Sequence, residues 1–321
     1  MRNKTNLVVV VCVMTMANIA SADTFGTEGN QFTIDFVSIS GDASSANGMN
    51  ISQYSPGDSK YRTFTDPGSD YRMGTYEITN DQWSKFSDSY GTVTGSPSNA
   101  YQQSATFTGT NVSTNEVSWY ETAQFVNYLN TSKGYSPAYK FTGTLGTNDY
   151  TYAFWDIADV GYDSDNPFRN SNAFYFLPTE DEWVKAAYWN GTNLQTYATT
   201  DDFVPVAGVD TNYDQDYPQS DGPWDVGSGS EELNGTFDMM GNVSEWMESP
   251  LYSGDSLSGS SRGLRGDSYR TSYSNELSSS NRYASNPINE EYFVGFRVAS
   301  VPEPATLFLL GLGTLMLRKK Q

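Results

Sequence analysis

The sequence predicts an α+β fold in which regular secondary structure is the minority. Three observations carry that prediction. Phe32-Thr33-Ile34-Asp35-Phe36-Val37-Ser38-Ile39 alternates apolar and polar residues in its first part, the pattern of a strand with one buried face. Thr79 with Gln82, Ser118 with Glu121, and Thr179 with Glu182 each set a hydroxyl three residues ahead of Glu or Gln. That is the capping box of a helix start, in which each side chain satisfies the other's free backbone N–H. The chain between these signals is rich in Gly, Ser, Asn, Asp and Tyr, without an internal repeat, so loops exceed their usual share. Long loops in a compact domain need function or a metal to hold them.

In chain order, residues 1–22 read as a secretory signal. Arg2 and Lys4 form its basic start, Leu7 to Met16 its apolar run, and Ala20-Ser21-Ala22 its small-residue cleavage site. The mature chain is expected to begin at Asp23. The single cysteine, Cys12, leaves with the signal, so no disulfide forms in a compartment that permits one. Residues 23–69 form a strand and irregular lead-in packed on the main domain, which spans 70–300. In the second helix Trp119, Ala123, Val126 and Leu129 share one face, and Gly134 ends the run. In the third, Trp183, Ala186 and Ala187 form the buried face before Asn190-Gly191. Hydrophobic residues make up only 37% of the chain, but aromatics reach 15%, enough to build a core from large side chains.

The stretch that organises the rest is Phe237-Asp238-Met239-Met240-Gly241-Asn242-Val243-Ser244-Glu245-Trp246. Two carboxylates, Asp238 and Glu245, flank a Gly-Asn turn that tolerates positive φ and lets carbonyls face inward. Hard oxygens in that arrangement suit calcium; alone, the stretch also reads as an ordinary tight turn with solvated acids.

At the far end, Val301-Pro302-Glu303-Pro304 precedes the apolar run Ala305 to Leu317 and the basic Arg318-Lys319-Lys320. The run has 13 residues, short of the roughly 20 of a straight membrane-spanning helix. Loss of both ends removes five of the 18 basic residues and none of the 38 acidic ones, taking the net charge from −20 to about −25. Such a chain is not a nucleic-acid binder, which needs clustered cations. It suits calcium or a cationic partner.

The organising stretch resembles the "DMxGNVxEW" signature of the formylglycine-generating-enzyme, or sulfatase-modifying-factor, family. Other blocks follow in that family's order. Tyr71-Arg72-Met73-Gly74-Thr75-Tyr76-Glu77-Ile78-Thr79-Asn80 resembles its opening block, Asn115 to Ala123 its "VSW.DA" block, and Phe176-Leu177-Pro178-Thr179-Glu180-Asp181-Glu182-Trp183 its "RLPTEAEWE". Leu264-Arg265-Gly266-Asp267-Ser268-Tyr269 resembles "RGGSW", and Val294-Gly295-Phe296-Arg297-Val298 contains "GFRV". The resemblance implies a variant of the C-type-lectin-like architecture. The C-terminal segment resembles the PEP-CTERM sorting signal, with Pro302, Glu303 and Pro304 as its motif. It implies transient membrane anchoring, processing by an exosortase, and export to the cell surface or extracellular matrix of a Gram-negative bacterium.

The family's two calcium sites carry over to Asp238, the carbonyls of Gly241 and Val243, and Glu245, and to Asn212, Tyr213, Asp221 and Pro223. Asp210, Asp214 and Asp216 are alternatives in the second set. Both would be structural. The family's two copper-binding thiols fall on Thr271 and Glu276, and the histidine-ligated iron of a second branch has no counterpart, since the chain has no histidine. Copper and iron are therefore not expected. Arg265, Arg282 and Arg297 are expected to tie C-terminal strands to buried acids or to the cleft. The resulting expectation is a non-catalytic, surface-sorted protein that binds a polysaccharide or a surface protein. The alternatives are an enzyme of unrecognised mechanism independent of cysteine and histidine, or a structural matrix component.

Overall fold

The alternation at Phe32–Ile39 forms a strand in the computed structural model, which describes residues 21–214, 222–252, 255 and 259–302. Nearly all of the expected signal segment lies outside those residues, as do Glu303, Pro304 and the apolar tail. The strands are β1 (Ser21–Phe25), β2 (Phe32–Ile39), β3 (Tyr71–Gly74), β4 (Lys140–Thr142), β5 (Thr151–Ala153), β6 (Tyr175–Phe176), β7 (Ser244–Pro250), β8 (Arg262–Arg265), β9 (Tyr283–Ser285), β10 (Val294–Gly295) and β11 (Ala299–Ser300). The α-helices are α1 (Asn80–Tyr90), α2 (Trp119–Ser132) and α3 (Glu180–Tyr188). One sheet runs β1-β2-β3-β11-β6 and a second β10-β7-β8-β9, with β4 and β5 as a separate hairpin. Among the described residues, an antiparallel five-stranded sheet, a mixed four-stranded one, three α-helices and long loops make this the expected α+β architecture.

On β2, Phe32, Ile34 and Phe36 are buried while Thr33 and Asp35 face water, as period-two patterning requires. β1 and β2 are strands of the first sheet itself, antiparallel to one another, and β2 pairs with β3. Arg72, on β3, ties β1 to β11 within this sheet. It pairs with Asp23 at 2.6 Å and donates to Ser300 Oγ at 2.9 Å, with its guanidinium 4.6 Å from the Phe36 ring.

All three capping boxes are present in full. α2 differs from its expected single buried face: eleven of its fourteen residues are buried. The reason is tertiary. Phe125 packs against Trp83 and Phe32, and Trp119 against Tyr139 and Tyr152. The polar positions then meet backbone in place of water. Asn127 exchanges hydrogen bonds with both backbone groups of Tyr139, at 2.7 and 2.8 Å, and Asn130 accepts from Phe174 and Tyr175 N–H. These hydrogen bonds offset the burial of the two amides, whereas Gln124 Oε1 on the same helix is buried without a hydrogen-bond partner.

α3 supplies the centre of an ionic network. Glu180, in its first turn, is fully buried and meets Arg265 at 2.6 Å, Arg282 at 2.7 Å and Arg62 at 3.0 Å. Burial alone would raise its carboxyl; attraction to Arg265, Arg62 and Arg282 outweighs that and holds it at about 2. Arg265 also donates to the carbonyls of Ile51, Ser279 and Asn281. The arginines at 265 and 282 therefore tie C-terminal strands to a buried acid, as the sequence predicts.

Candidate functional site

The organising stretch folds as a turn with three left-handed residues, Asp238 (φ 59°), Gly241 (φ 78°) and Asn242 (φ 54°). Asn242 is the hub. Its backbone N–H donates to the Asn212 carbonyl at 3.0 Å, its side-chain oxygen accepts from Trp224 N–H at 2.7 Å, and its amide donates to Glu77. Both segments expected to hold calcium are thus brought together at Asn212 and Asn242, with Asn212 Nδ2 also donating to the Gly222 carbonyl at 3.1 Å. Pro223 is buried beside them, and the Tyr213 hydroxyl donates to the Pro205 carbonyl at 2.7 Å. Asp221 and Asp216 lie outside the described residues.

Asp238 and Glu245 are both buried, with different surroundings. Glu245 receives Arg297 on both oxygens at 2.6 to 2.8 Å, and Trp183 Nε1 at 2.7 Å. Asp238 Oδ2 accepts from Gly227 N–H at 2.7 Å, while Oδ1 is buried without a hydrogen-bond partner. Burial, with repulsion from Glu245 added, raises Asp238 to about 6 against the pull of the Gly227 N–H and Arg297. Two acids missed at the sequence level share this interior. Glu77 accepts from Val243 N–H at 3.1 Å and is pushed well up by burial, then by Asp238 and Glu245. Glu232 accepts from Met239 and Met240 N–H and is raised by burial to about 8. Arg297 pairs with Glu245 and donates to the Gly74 and Phe237 carbonyls. The orphaned oxygen of Asp238 fits a hard cation. Glu245 offers none, because Arg297 and Trp183 occupy it. Among the described residues no group of three acids is spaced to hold a metal alone, so carbonyls would have to complete the shell.

The turn also carries the loop after β8. Gly241 N–H donates to the Gly266 carbonyl at 2.8 Å, and Tyr269 N–H to the Asn242 carbonyl at 2.9 Å. That loop lines an open cavity of about 330 Å³ with Asp267, Arg270, Thr271, Tyr273, Glu276, Tyr283 and Phe293 on its walls. Thr271 and Glu276 meet here: the threonine hydroxyl donates to Glu276 Oε2 at 2.7 Å. Asp267 takes a left-handed φ of 57°, a conformation costly for most non-glycine residues, and its Oδ1 accepts from Ser268 N–H at 2.8 Å. Burial raises its carboxyl to about 6; the Thr271 hydroxyl opposes this and Glu276 adds to it. Tyr273 is 67% exposed and Tyr283 42%. The sequence gives one clue to Asp267, since it stands at the second glycine of the "RGGSW" pattern.

A larger cavity, about 590 Å³, lies between Arg62, Arg169 and Glu248. Its charges are largely matched internally: Arg62 with Asp181, Arg169 with Glu182 and Glu248, and Lys185 with Asp66. Among the described residues, the smaller cleft keeps two acids against one arginine, and that arginine lies 5.0 Å from the rings of Tyr292 and Phe293.

Residues 49–301 match the model of the sulfatase-modifying factor enzyme 1-like domain, and residues 300–320 match the PEP-CTERM protein-sorting motif. No curated protein sequence matches the chain. Among solved structures, Treponema denticola variable protein 1 is similar with a TM-score of 0.61 at 21% identity, over 89% of this chain and 100% of that one. CarF is similar with a TM-score of 0.57 at 22% identity, over 84% and 99%. PvdO from Pseudomonas aeruginosa gives 0.56 at 13% identity, over 87% and 98%. At these identities the likeness is one of fold.

Proposed function

The chain belongs to the sulfatase-modifying factor enzyme 1-like domain family, and from that premise we propose a surface-sorted protein whose cleft binds an extracellular saccharide. The sorting motif implies export to the cell surface of a Gram-negative bacterium and processing by an exosortase. The observation that carries the proposal is the pairing of Thr271 with Glu276, in a cleft that exposes Tyr273 and Tyr283. A hydroxyl and a carboxylate at these positions supply hydrogen-bonding groups for polyols where the family's chemistry requires soft thiolates. Exposed tyrosine faces give the apolar platform that a sugar ring stacks on.

Calcium is the cation we assign to the turn. Asp238 and the carbonyls of Gly241 and Val243 would hold it, with Glu245 contributing charge, and Asn212, Tyr213, Asp221 and Pro223 would form the second set. Bound there, it supplies positive charge to a buried acidic interior and fixes loops that support the cleft.

A glycan array of the processed chain tests the binding reading. Wild type retains a subset of polysaccharide fragments, and Tyr273→Ala and Tyr283→Ala each weaken that signal about tenfold, the worth of one stacked ring. Equal signals in wild type and both variants exclude this cleft. Shortening of the glycan during incubation would instead mark Asp267 and Glu276 as a hydrolytic acid and base.

The sorting reading has its own test. With Pro302-Glu303-Pro304 replaced by alanines, the tail stays uncut and the protein remains at the membrane. Release at the normal mature mass would show that another segment directs processing.

A further inference from the structure

We propose that the saccharide bound in this cleft carries a free amino group, and that its ammonium lies between Asp267 and Glu276. The inference rests on the saccharide reading and adds the chemical class of the ligand. The cavity, about 330 Å³, is of the size that holds a small ligand, and its walls combine aromatic faces with two carboxylates. The groups around Asp267 are Glu276 and Thr271 from the segment that follows it, Arg270 from its own loop, Tyr283 from β9, and Tyr188 from α3.

These groups set two carboxylates against a single cation, Arg270, among the described residues. Among the described residues Arg270 is the one guanidinium on the walls, and it lies 5.0 Å from the rings of Tyr292 and Phe293. The Thr271 hydroxyl reaches both acids but carries one proton, which goes to Glu276. A neutral sugar seated here would cover two acids without compensating them. An ammonium brings three donors and the missing positive charge, and charge-assisted hydrogen bonds are the stronger kind. The acidic surface of the whole chain concentrates such a ligand before it docks.

Calorimetric titration of the processed chain separates the possibilities. The probes are a glucosamine oligomer, its fully N-acetylated counterpart and a glucose oligomer of equal length, at a pH just above the Asp267 value of about 6, where the carboxylate is ionised and a share of the amines is still charged. The glucosamine oligomer is expected to bind at least about tenfold tighter than the acetylated one, the worth of one hydrogen bond between charged groups. Asp267→Asn and Glu276→Gln should each abolish that preference, with melting temperature followed so that a folding defect in one leaves the other decisive. Equal affinity for all three oligomers would overturn the amine assignment and leave saccharide binding standing. A preference that both variants retain would be attraction to the acidic surface, and would overturn the amine assignment too. No binding by wild type to any of the three would remove both readings.

Discussion

Glu180→Ala is expected to lower the stability of the processed chain by about 3–5 kcal/mol, the usual cost of stripping the partner from a buried ion pair. Three guanidiniums converge on this carboxylate, and those of Arg265 and Arg282 are fully buried, so no water replaces the lost anion. A lowering of the carboxyl from 4.5 to about 2 corresponds to about 3 kcal/mol, in line with that range. The sign follows from the direction of the shift. The folded value is depressed, so the contribution is fully present above the unfolded value and is lost as pH falls through about 2. Glu180→Gln keeps the shape without the charge and should melt early at neutral pH. It should also flatten the acid limb of the stability profile. Because Arg265 directly precedes the cleft loop and anchors β8, ligand binding should weaken along with stability. A melting temperature within a degree or so of wild type at neutral pH would show that the network contributes little net stability.

The second large effect concerns calcium at the turn. With free calcium at 100 times its dissociation constant, the processed chain gains about 2.7 kcal/mol over the chelated form. Asp238→Ala removes the unpartnered buried oxygen and should abolish the difference between calcium and EDTA, whatever its own baseline. Glu245→Gln behaves differently. It leaves Arg297 without its anion, so both melting curves should fall by about 3–5 kcal/mol while the calcium response persists. Coincident curves for wild type in calcium and EDTA would reduce the stretch to a turn held by hydrogen bonds and the Arg297 pair.

What the sequence reveals follows the distance over which each interaction acts. Capping boxes join residues three apart, so the starts of α1, α2 and α3 are legible directly. Phe32–Ile39 is legible because its alternation is local. The burial of α2 on most faces is not, because Asn127 and Asn130 look like solvent positions until Tyr139, Phe174 and Tyr175 arrive. The site divides in the same way. Asp238 and Glu245 stand out within one turn, but the engagement of Glu245 by Arg297 and Trp183, 52 and 62 positions away, has no local signal. Glu77 reaches Val243 across 166 positions and reads in sequence as one letter of a helix-entry block. Thr271 and Glu276 are marked in the sequence by the loss of thiols. Their hydrogen bond, and the acid at 267 beside them, depend on how the loop after β8 closes.

The central claim is that this loop has become a recognition cleft. The most direct measurement is a crystal structure of the processed chain soaked with the glycan it retains best on the array. The account predicts a sugar ring against Tyr273 or Tyr283, with polar groups within hydrogen-bond distance of Glu276 and Asp267. Sugar density in the larger cavity between Arg62 and Arg169, with the cleft at Thr271 and Glu276 filled by solvent alone, would contradict it.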